Sequence, residues 1–225
     1  MARARRLNKA TATPSDDLRA KIMAEALPHV AFDGWTDKLL SEAAERAGLT
    51  DAQLRAAFPR GVADALVYFS DDADKQTVER LKDVDLKALK VRERVTLGVR
   101  TRIEVVMQHK EAARRGAAMF ALPVYALDAA TCVYRTVDNI WRGVGDTSAD
   151  FNFYTKRALL AGVYTSTMLY WFADTSEDFE DTWKFLDRRI ADVMQIEKVK
   201  SQVAKFAGSL PNPLEILGAL RHPRR

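Results

Sequence analysis

Apolar residues recur along this chain at spacings of three and four, the period of an α-helix that buries one side. No stretch keeps the strict apolar and polar alternation of a half-buried strand. Short connectors that contain Gly, Pro and helix-capping residues separate the periodic segments. The pattern therefore predicts an all-α protein.

The longest apolar segment runs from residue 151 to residue 173 and contains one glycine and no proline. At about 100° per residue its large apolar side chains point almost all the way round, which predicts a helix buried on most of its circumference. The segment is short for a membrane span and carries Thr165, Ser166 and Thr167 in its middle, so we expect a core helix. We expect Asp174 to Ser176 to end this helix and to cap the next one, whose acidic first turn suits the helix dipole.

Two short helices joined by a turn at Gly48 have the layout of a helix-turn-helix, and the aromatic-Pro-x-Gly corner that follows resembles the amino-terminal domain of TetR-type regulators. Thr50 and Gln53 form a capping box that opens the second helix, residues 51–57, which would be the recognition helix. That helix offers only Arg55 and one amide to DNA, whereas DNA readers need several cationic and amide side chains. Four acidic residues lie nearby in sequence and would repel phosphate: Asp33, Asp37, Asp51 and Asp64.

The remaining helices follow from the same periodicity. We expect the charged segment 71–85 to form the end of one helix and a loop. The predicted organisation has four parts: a disordered basic tail (1–14), a helix-turn-helix-like part (15–84), a helical body (85–196) and a C-terminal amphipathic segment (197–225).

The C-terminal segment has a narrow apolar face flanked by lysines, followed by a Pro-Asn-Pro break, a second apolar piece and a basic end. Such a helix can lie in a membrane interface with its lysine stems along the apolar surface. The alternative is a helix that packs on the body or on a second subunit. The residues predicted to contact a membrane are Val199, Val203, Phe206, Leu210, Leu214 and Leu217.

Composition narrows the chemistry. The formal net charge is +4, with arginines gathered at both ends, and the N-terminus lacks the apolar stretch of a secretory signal. Cys132 is the single cysteine, which excludes an internal disulfide and a cysteine-based zinc site. The three histidines lie far apart, and no catalytic, metal-binding or phosphate-binding motif is present. We therefore predict no catalytic residues, no metal and no enzymatic activity.

Four longer segments carry a specific resemblance: HVAFDGWTDKLLSEAAERAGL, AFPRGVADALVYF, DNIWRGVGDTSADFNFYTKRALLAGVY and TSEDFEDTWKFLDRRI. They resemble the accessory lipid-binding protein of ubiquinone biosynthesis, a family of mitochondria and alphaproteobacteria. The similarity spans residues 20 to 200 and is strongest from 138 to 190.

The resemblance implies a TetR-like fold that has given up DNA binding, with a TetR-type ligand-responsive DNA-binding repressor as the alternative. It implies a homodimer with no cofactor other than a bound isoprenoid lipid or phospholipid. It also implies a di-iron partner, the demethoxyubiquinone hydroxylase, to which the family presents the membrane-embedded quinone precursor. The expected location is peripheral, on the cytoplasmic face of a bacterial inner membrane, or on the matrix side of the inner membrane if the protein is mitochondrial.

The resemblance also assigns roles to residues. It places the hydroxylase contact on Asp138, Trp141 and Arg142, although the family often has an aromatic residue where Arg142 stands here. We expect Trp141→Ala or Trp141→Lys to weaken hydroxylase binding while lipid loading survives. The apolar helix 151–173 would supply part of a dimer interface and part of the wall of a lipid pocket, with the candidate lining residues Leu160, Tyr164, Met168, Trp171 and Phe172.

Overall fold

A computed structural model describes residues 14–146 and 151–209 of the chain. Within those residues the chain forms α-helices, one-turn 3-10 helices and no strand, which confirms the predicted all-α class. The helices are α1 (Pro14–Ala26), α2 (Val30–Asp33), α3 (Asp37–Arg46), α4 (Asp51–Ala57), α5 (Val62–Lys82), α6 (Val91–Val105), α7 (Lys110–Phe120), α8 (Ala126–Gly143), α9 (Phe151–Ala173) and α10 (Glu180–Ser209).

Local capping signals determine where the first helices begin and end. The Thr36 hydroxyl accepts the backbone N–H of Leu39 at the start of α3, and Thr50 and Gln53 form the predicted capping box at the start of α4. Gly48, between these helices, has a φ of 70°, a left-handed conformation that glycine adopts without steric cost. The turn at Gly48 therefore joins α3 and α4 in the predicted helix-turn-helix arrangement.

Two hydrophobic cores lie one after the other along the molecule, and α5 contributes to both. The first core packs α1 to α5 against the start of α7 and contains Ile22, Leu40 and Leu66. The second packs α5 to α10 together and contains Ile103, Ile140, Trp171 and Leu186. A buried hydrogen bond of 2.9 Å from Trp35 Nε1 to the Ala112 carbonyl ties α7 to the first core. The helix-turn-helix part is thus fixed to the helical body.

The charged segment that we expected to include a loop is mostly helical. α5 continues to Lys82, so residues 71 to 82 form its second half. The side chains of Asp74 and Thr77 are buried there, and the Asp74 carboxylate pairs with Arg102 of α6. The carboxylate can be buried because the residue that neutralises it lies on the neighbouring helix α6.

The expectation that α9 is buried on most of its circumference is wrong. One side packs into the second core through Leu160, Val163 and Trp171, but the opposite side faces outward. The exposed positions recur at helical spacing along the whole helix and include Tyr154, Ala158, Gly162, Leu169 and Ala173. α9 therefore presents an open stripe of small and apolar residues.

Helix α10 runs without interruption past residue 197, where we placed the boundary of the C-terminal segment. Among residues 14–146 and 151–209, no single helix has the length and apolar character of a membrane span. Two consecutive helical segments, Met107–Phe120 and Pro123–Gly143, together have that length and apolar character, but the chain bends by 96° between them.

Candidate functional site

An apolar pocket of about 220 Å³ opens between four helices of the body. The first turns of α6, the end of α8, the first half of α9 and the middle of α10 each contribute a wall. All but two of the lining side chains are hydrophobic, and the exceptions are the cations Arg92 and Lys156. The lining residues are Val91, Arg92, Val95, Trp141, Lys156, Leu159, Leu160, Val163, Ile190, Val193 and Met194.

The pocket has a buried floor and an open mouth. Val95, Leu160, Val163 and Ile190 belong to the second core and form the floor. Val91, Arg92 and Met194 are exposed and lie at the mouth. An apolar floor with a cation, Arg92, at the opening suits a ligand with an apolar chain and a polar or anionic end.

A close approach of two helices supports one wall. At Gly98, α6 passes so near to α8 that an added Cβ would lie 2.7 Å from the Ile140 Cγ2 atom. Ile140 directly precedes Trp141, so a larger side chain at residue 98 would push away the part of α8 that carries the pocket wall. Glycine is required here for lack of space, which the hydrophobic pattern alone did not indicate.

Trp141 is held in this wall from two directions. Its indole N–H donates to the backbone carbonyl of Lys156 at 3.2 Å, and the Lys156 ammonium lies 5.4 Å from the ring centroid. The side chain is 8 % exposed. Most of the ring surface is therefore covered by this chain, and the ring forms part of the pocket wall.

Ion pairs join the end of α8 to the start of α9 beside the tryptophan. The Asp138 carboxylate accepts from Arg157 Nε and pairs with Arg142 Nε, each at 2.7 Å. Asp146 pairs with Lys156 Nζ at 2.9 Å. Arg157 is itself buried, so its pairing with Asp138 is necessary for burial of its charge. This network fixes the relative positions of the two helices that hold the pocket open.

The three residues predicted to contact the hydroxylase therefore differ in their environment. Asp138 and Trp141 are largely covered, whereas the Arg142 side chain is 69 % exposed. Arg142 is the member of the three that is available to a partner in this conformation.

The five predicted pocket residues do not line one common space. Leu160 lines the apolar pocket, while Tyr164 and Met168 line a smaller cavity between α5, α6, α7 and α9. Phe172 borders a surface groove between α7 and α9, and Trp171 is fully buried in the second core. Sequence periodicity placed these residues on one helix, but it could not separate the faces that the neighbouring helices create.

Several pocket residues were not among the predicted ones, because they come from helices far apart in sequence. Val91 and Arg92 open α6, and Ile190, Val193 and Met194 come from α10. Ile190, Val193 and Met194 do lie on the apolar face of α10 in the sequence pattern. That pattern predicts a buried face, but it does not identify the helices that pack against it.

The predicted membrane-contacting residues lie at or beyond the limit of the described chain. Val199, Val203 and Phe206 fall on the last turns of α10, where the structure describes the backbone alone. Leu210, Leu214 and Leu217 lie outside the described residues, as do residues 1–13 of the predicted basic tail, whereas Pro14, its last residue, begins α1.

Comparison with known proteins gives consistent matches. A model of the COQ9 protein family matches residues 126–197. The mitochondrial ubiquinone biosynthesis protein COQ9 of Rattus norvegicus is 32% identical over 202 residues, which cover 87% of this chain and 64% of that protein. The mitochondrial COQ9-B protein of Xenopus laevis is 31% identical over 196 residues, 84% of this chain and 67% of that protein. The chain thus spans about two thirds of the length of these relatives.

A solved structure of a TetR transcriptional regulator from Nitrosomonas europaea has a TM-score of 0.64 to this chain. The match covers 78% of this chain and 97% of the regulator at 18% sequence identity. At that identity the likeness concerns the fold, and it confirms the predicted TetR-like architecture.

Proposed function

The chain belongs to the COQ9 family of ubiquinone biosynthesis proteins, and on that premise we propose that it is a non-enzymatic accessory protein of this pathway. It binds an isoprenoid lipid or phospholipid, associates peripherally with a membrane and presents a quinone precursor to the di-iron demethoxyubiquinone hydroxylase. It acts on the cytoplasmic face of a bacterial inner membrane, or on the matrix side of the inner membrane if the protein is mitochondrial.

The apolar pocket beside Trp141 is the observation that carries the lipid part of this proposal. Its volume of about 220 Å³ is below the ~300–1,000 Å³ of pockets that enclose whole small ligands. It therefore suits a segment of a long chain. Burial of apolar groups contributes about 0.8 kcal/mol per CH₂, so one enclosed isoprene unit contributes on the order of 4 kcal/mol. An isoprene unit would lose that energy if it left the bilayer for water, so a pocket that encloses the unit lowers the cost of extraction by about that amount.

The position of the pocket mouth supports transfer from a membrane. Met194 lies at the mouth, and Val199, the first residue predicted to contact the bilayer, follows five positions later on the same helix. Five residues of α-helix advance about 7.5 Å along the axis. A lipid chain that leaves a bilayer along the end of α10 would therefore reach the mouth of the pocket within about 7.5 Å.

Arg142 supports the partner side of the proposal. It lies exposed on α8 one residue after Trp141, so a protein bound there would contact the outer surface of the pocket wall. The homodimer fits the open stripe on α9, which faces away from the pocket floor. A second copy and the hydroxylase would then use different helices.

The test is mass spectrometry of lipid that co-purifies with the full chain. Val193→Trp places a large ring in the pocket, and Val84→Trp places the same ring at an exposed position outside it. We expect isoprenoid or phospholipid with the parent and with Val84→Trp, and strongly reduced lipid with Val193→Trp. Equal lipid content in both variants would contradict the pocket assignment.

A further inference from the structure

The connector between α5 and α6, residues 83–90, lies beside the mouth of the apolar pocket. It passes directly into Val91 and Arg92, which line that mouth. Its residues are exposed apart from Leu86 and Leu89, which are half-buried. The connector and the pocket mouth therefore form one continuous surface.

Helix α10 leaves the body at the same end of the molecule. The Arg100 guanidinium, in the second half of α6, lies 4.7 Å from the ring centroid of Trp183, near the start of α10. Arg92, in the first turn of α6, donates instead to the carbonyl of Asp187, further along α10, at 3.5 Å. The two helices are thus antiparallel, and residues 195–209 continue past the start of α6 for about 22 Å.

Three large apolar side chains are exposed on this surface. Val84 of the connector is 37% exposed, and Val91 and Met194 at the mouth are 58% and 38% exposed. Exposed apolar residues grouped around an apolar pocket are typical of a site that contacts another molecule or a membrane.

The cations of the same surface are not neutralised by nearby acids. Lys87, Lys90 and Arg92 form no ion pair with a carboxylate of the described chain. Asp85 and Glu93 use their carboxylates on the backbone, where they accept the N–H groups of Lys87 and Lys90. The two lysine ammonium groups are therefore available to an external anion.

A count of all charged residues at this end leaves a positive excess. Residues 79–94 contain six cations and four acids, which gives +2. Residues 138–157 and 187–192, on the other sides of the mouth, contain equal numbers of cations and acids. Residues 195–209 of α10 add three lysines and one glutamate. No segment around the mouth is acidic.

We propose that the connector docks the pocket mouth onto the surface of an anionic bilayer, as a membrane contact additional to the end of α10. Val84 and Val91 enter the boundary between head groups and acyl chains, and Lys87 and Lys90 pair with lipid phosphates. An acidic protein or a nucleic acid could pair with the lysines but would leave the exposed valines against a polar surface. The proposal rests on the lipid function of the apolar pocket, whose mouth would then open directly onto the bilayer.

Sedimentation of the full chain with vesicles tests the proposal. The vesicles contain phosphatidylcholine and phosphatidylglycerol in equal parts. A basic residue at an anionic surface contributes about fivefold to partitioning, so Lys87→Glu/Lys90→Glu should bind at least about tenfold more weakly than the parent. Both substitutions keep the backbone bonds to Asp85 and Glu93.

Lys21→Glu/Arg55→Glu is the matched control. It changes the net charge by the same amount at two exposed positions on α1 and α4, within the helix-turn-helix part. Charges separated by more than about 8 Å of physiological salt solution are largely screened, so this variant should bind within about twofold of the parent. Equal partitioning of the two double variants would overturn the docking surface.

A label at residue 84 locates the contact without removing any charge. Val84→Cys is coupled to an environment-sensitive dye, while Cys132 is buried and reacts slowly. Dye emission should shift to the blue when vesicles bind, and the same dye at Lys21→Cys should not shift. Unshifted emission at residue 84 on vesicle-bound protein would also overturn the proposal.

Lipid analysis separates this proposal from that of the pocket function. The Lys87→Glu/Lys90→Glu variant should still co-purify with lipid, because neither lysine lines the pocket. Absence of lipid from the parent, with vesicle binding that depends on the connector, would contradict the pocket function and support the docking surface. Lipid in the parent, with vesicle binding that does not depend on the connector, would do the reverse.

Discussion

The ammonium of Lys156 lies over the face of Trp141, 5.4 Å from the ring centroid, while the backbone carbonyl of Lys156 accepts the indole N–H at 3.2 Å. One residue of α9 thus holds both the edge and the face of a residue of α8. The tryptophan cannot turn toward a partner without breaking both contacts. Trp141 is therefore part of the pocket wall, and we expect any effect of this residue on a bound protein to be indirect.

This arrangement changes the expectation for Trp141→Ala. The sequence led us to expect weaker hydroxylase binding with intact lipid loading, but loss of a pocket-wall indole should also lower lipid loading. The free energy of unfolding should fall by about 3–5 kcal/mol, as for other buried Trp→Ala changes. Denaturant unfolding and mass spectrometry of bound lipid measure the two effects.

Trp183→Ala is the matched control. Like Trp141, Trp183 donates its indole N–H to a backbone carbonyl, that of Asp178, at 2.9 Å. The Arg100 guanidinium lies over its ring, 4.7 Å from the centroid. Trp183 does not line the apolar pocket. We expect Trp183→Ala to lower stability and to leave lipid loading near that of the parent. Equal loss of lipid in both variants would show that destabilisation alone releases it.

Arg142→Glu tests the partner surface. Because Arg142 is exposed on α8, reversal of its charge should weaken binding of the demethoxyubiquinone hydroxylase several-fold, mainly through the association rate. Lipid loading should fall much less than in Trp141→Ala, since the side chain does not line the pocket and acts on it only through its ion pair with Asp138. Surface plasmon resonance with the purified hydroxylase measures the rates, and Arg80→Glu, exposed on α5, is the control. The same affinity for both variants would contradict this surface.

Asp174 predicts a dependence of stability on pH. Its carboxylate accepts the backbone N–H of Ser176 and of Thr182 and the Thr182 hydroxyl, which confirms the predicted cap between α9 and α10. Burial opposes its ionisation, but the hydrogen bonds from Thr182 and Ser176 outweigh this and lower its pKa from 3.8 to about 2. The folded state therefore favours the charged form.

The stabilisation by Asp174 should thus be complete above pH 3.8 and disappear as the pH falls toward 2. Asp174→Ala should lower the free energy of unfolding by about 0.5–2 kcal/mol at neutral pH, the usual range for a lost cap. The gap between parent and variant should narrow as acid protonates the parent. Chemical denaturation across that range measures it, with the exposed Asp181→Ala as control. A gap that is constant with pH would contradict the assignment.

Local signals predicted most of the fold because they act within a few residues. Gly48 and the Thr50–Gln53 box form the turn and the cap that the sequence predicted, since such a signal contacts only its own helix. The burial of Asp74 could not be predicted this way. The atoms that neutralise it belong to Arg102 and Arg135, 28 and 61 residues away.

The candidate site was predictable to a smaller extent for the same reason. Helical periodicity identified α9 as an apolar helix and included Leu160 among the pocket residues. It did not show that α6 and α10 complete the pocket, because a face of one helix does not specify its neighbour. Nor did it show that Lys156, a cation, covers the ring of Trp141.

DNA binding is the function that the fold most readily suggests, and we predict that it is absent. α4 carries one basic residue, Arg55. Asp37, the first residue of α3, accepts the backbone N–H of Val62 at 3.0 Å and so links α3 to α5. A mobility-shift assay at low salt should show no complex, because even nonspecific binding needs several phosphate contacts. A complex that forms at 50 mM salt and dissociates near 200 mM would support the repressor alternative.

The open stripe on α9 leads to a prediction about assembly. Tyr154 and Leu169 are 69% and 66% exposed on either side of Gly162, where an added Cβ would meet no atom within 4 Å. Exposed apolar residues aligned along one helix commonly mark a protein interface. A second copy of the chain, packed helix against helix, would cover this stripe and bring two copies of Leu169 near the contact.

Leu169→Arg should therefore convert a dimer into a monomer, because a cation in an apolar interface is desolvated without a partner. Sedimentation equilibrium of the full chain measures the dissociation constant, which should rise at least a hundredfold. Phe32→Arg is the control, since Phe32 is 87% exposed on α2 and lies outside the stripe. A parent chain that is monomeric at tens of micromolar, or a Leu169→Arg variant that stays dimeric, would show that the stripe is not the subunit contact. Persistence of lipid in the monomeric variant would further show that the apolar pocket is complete within one chain.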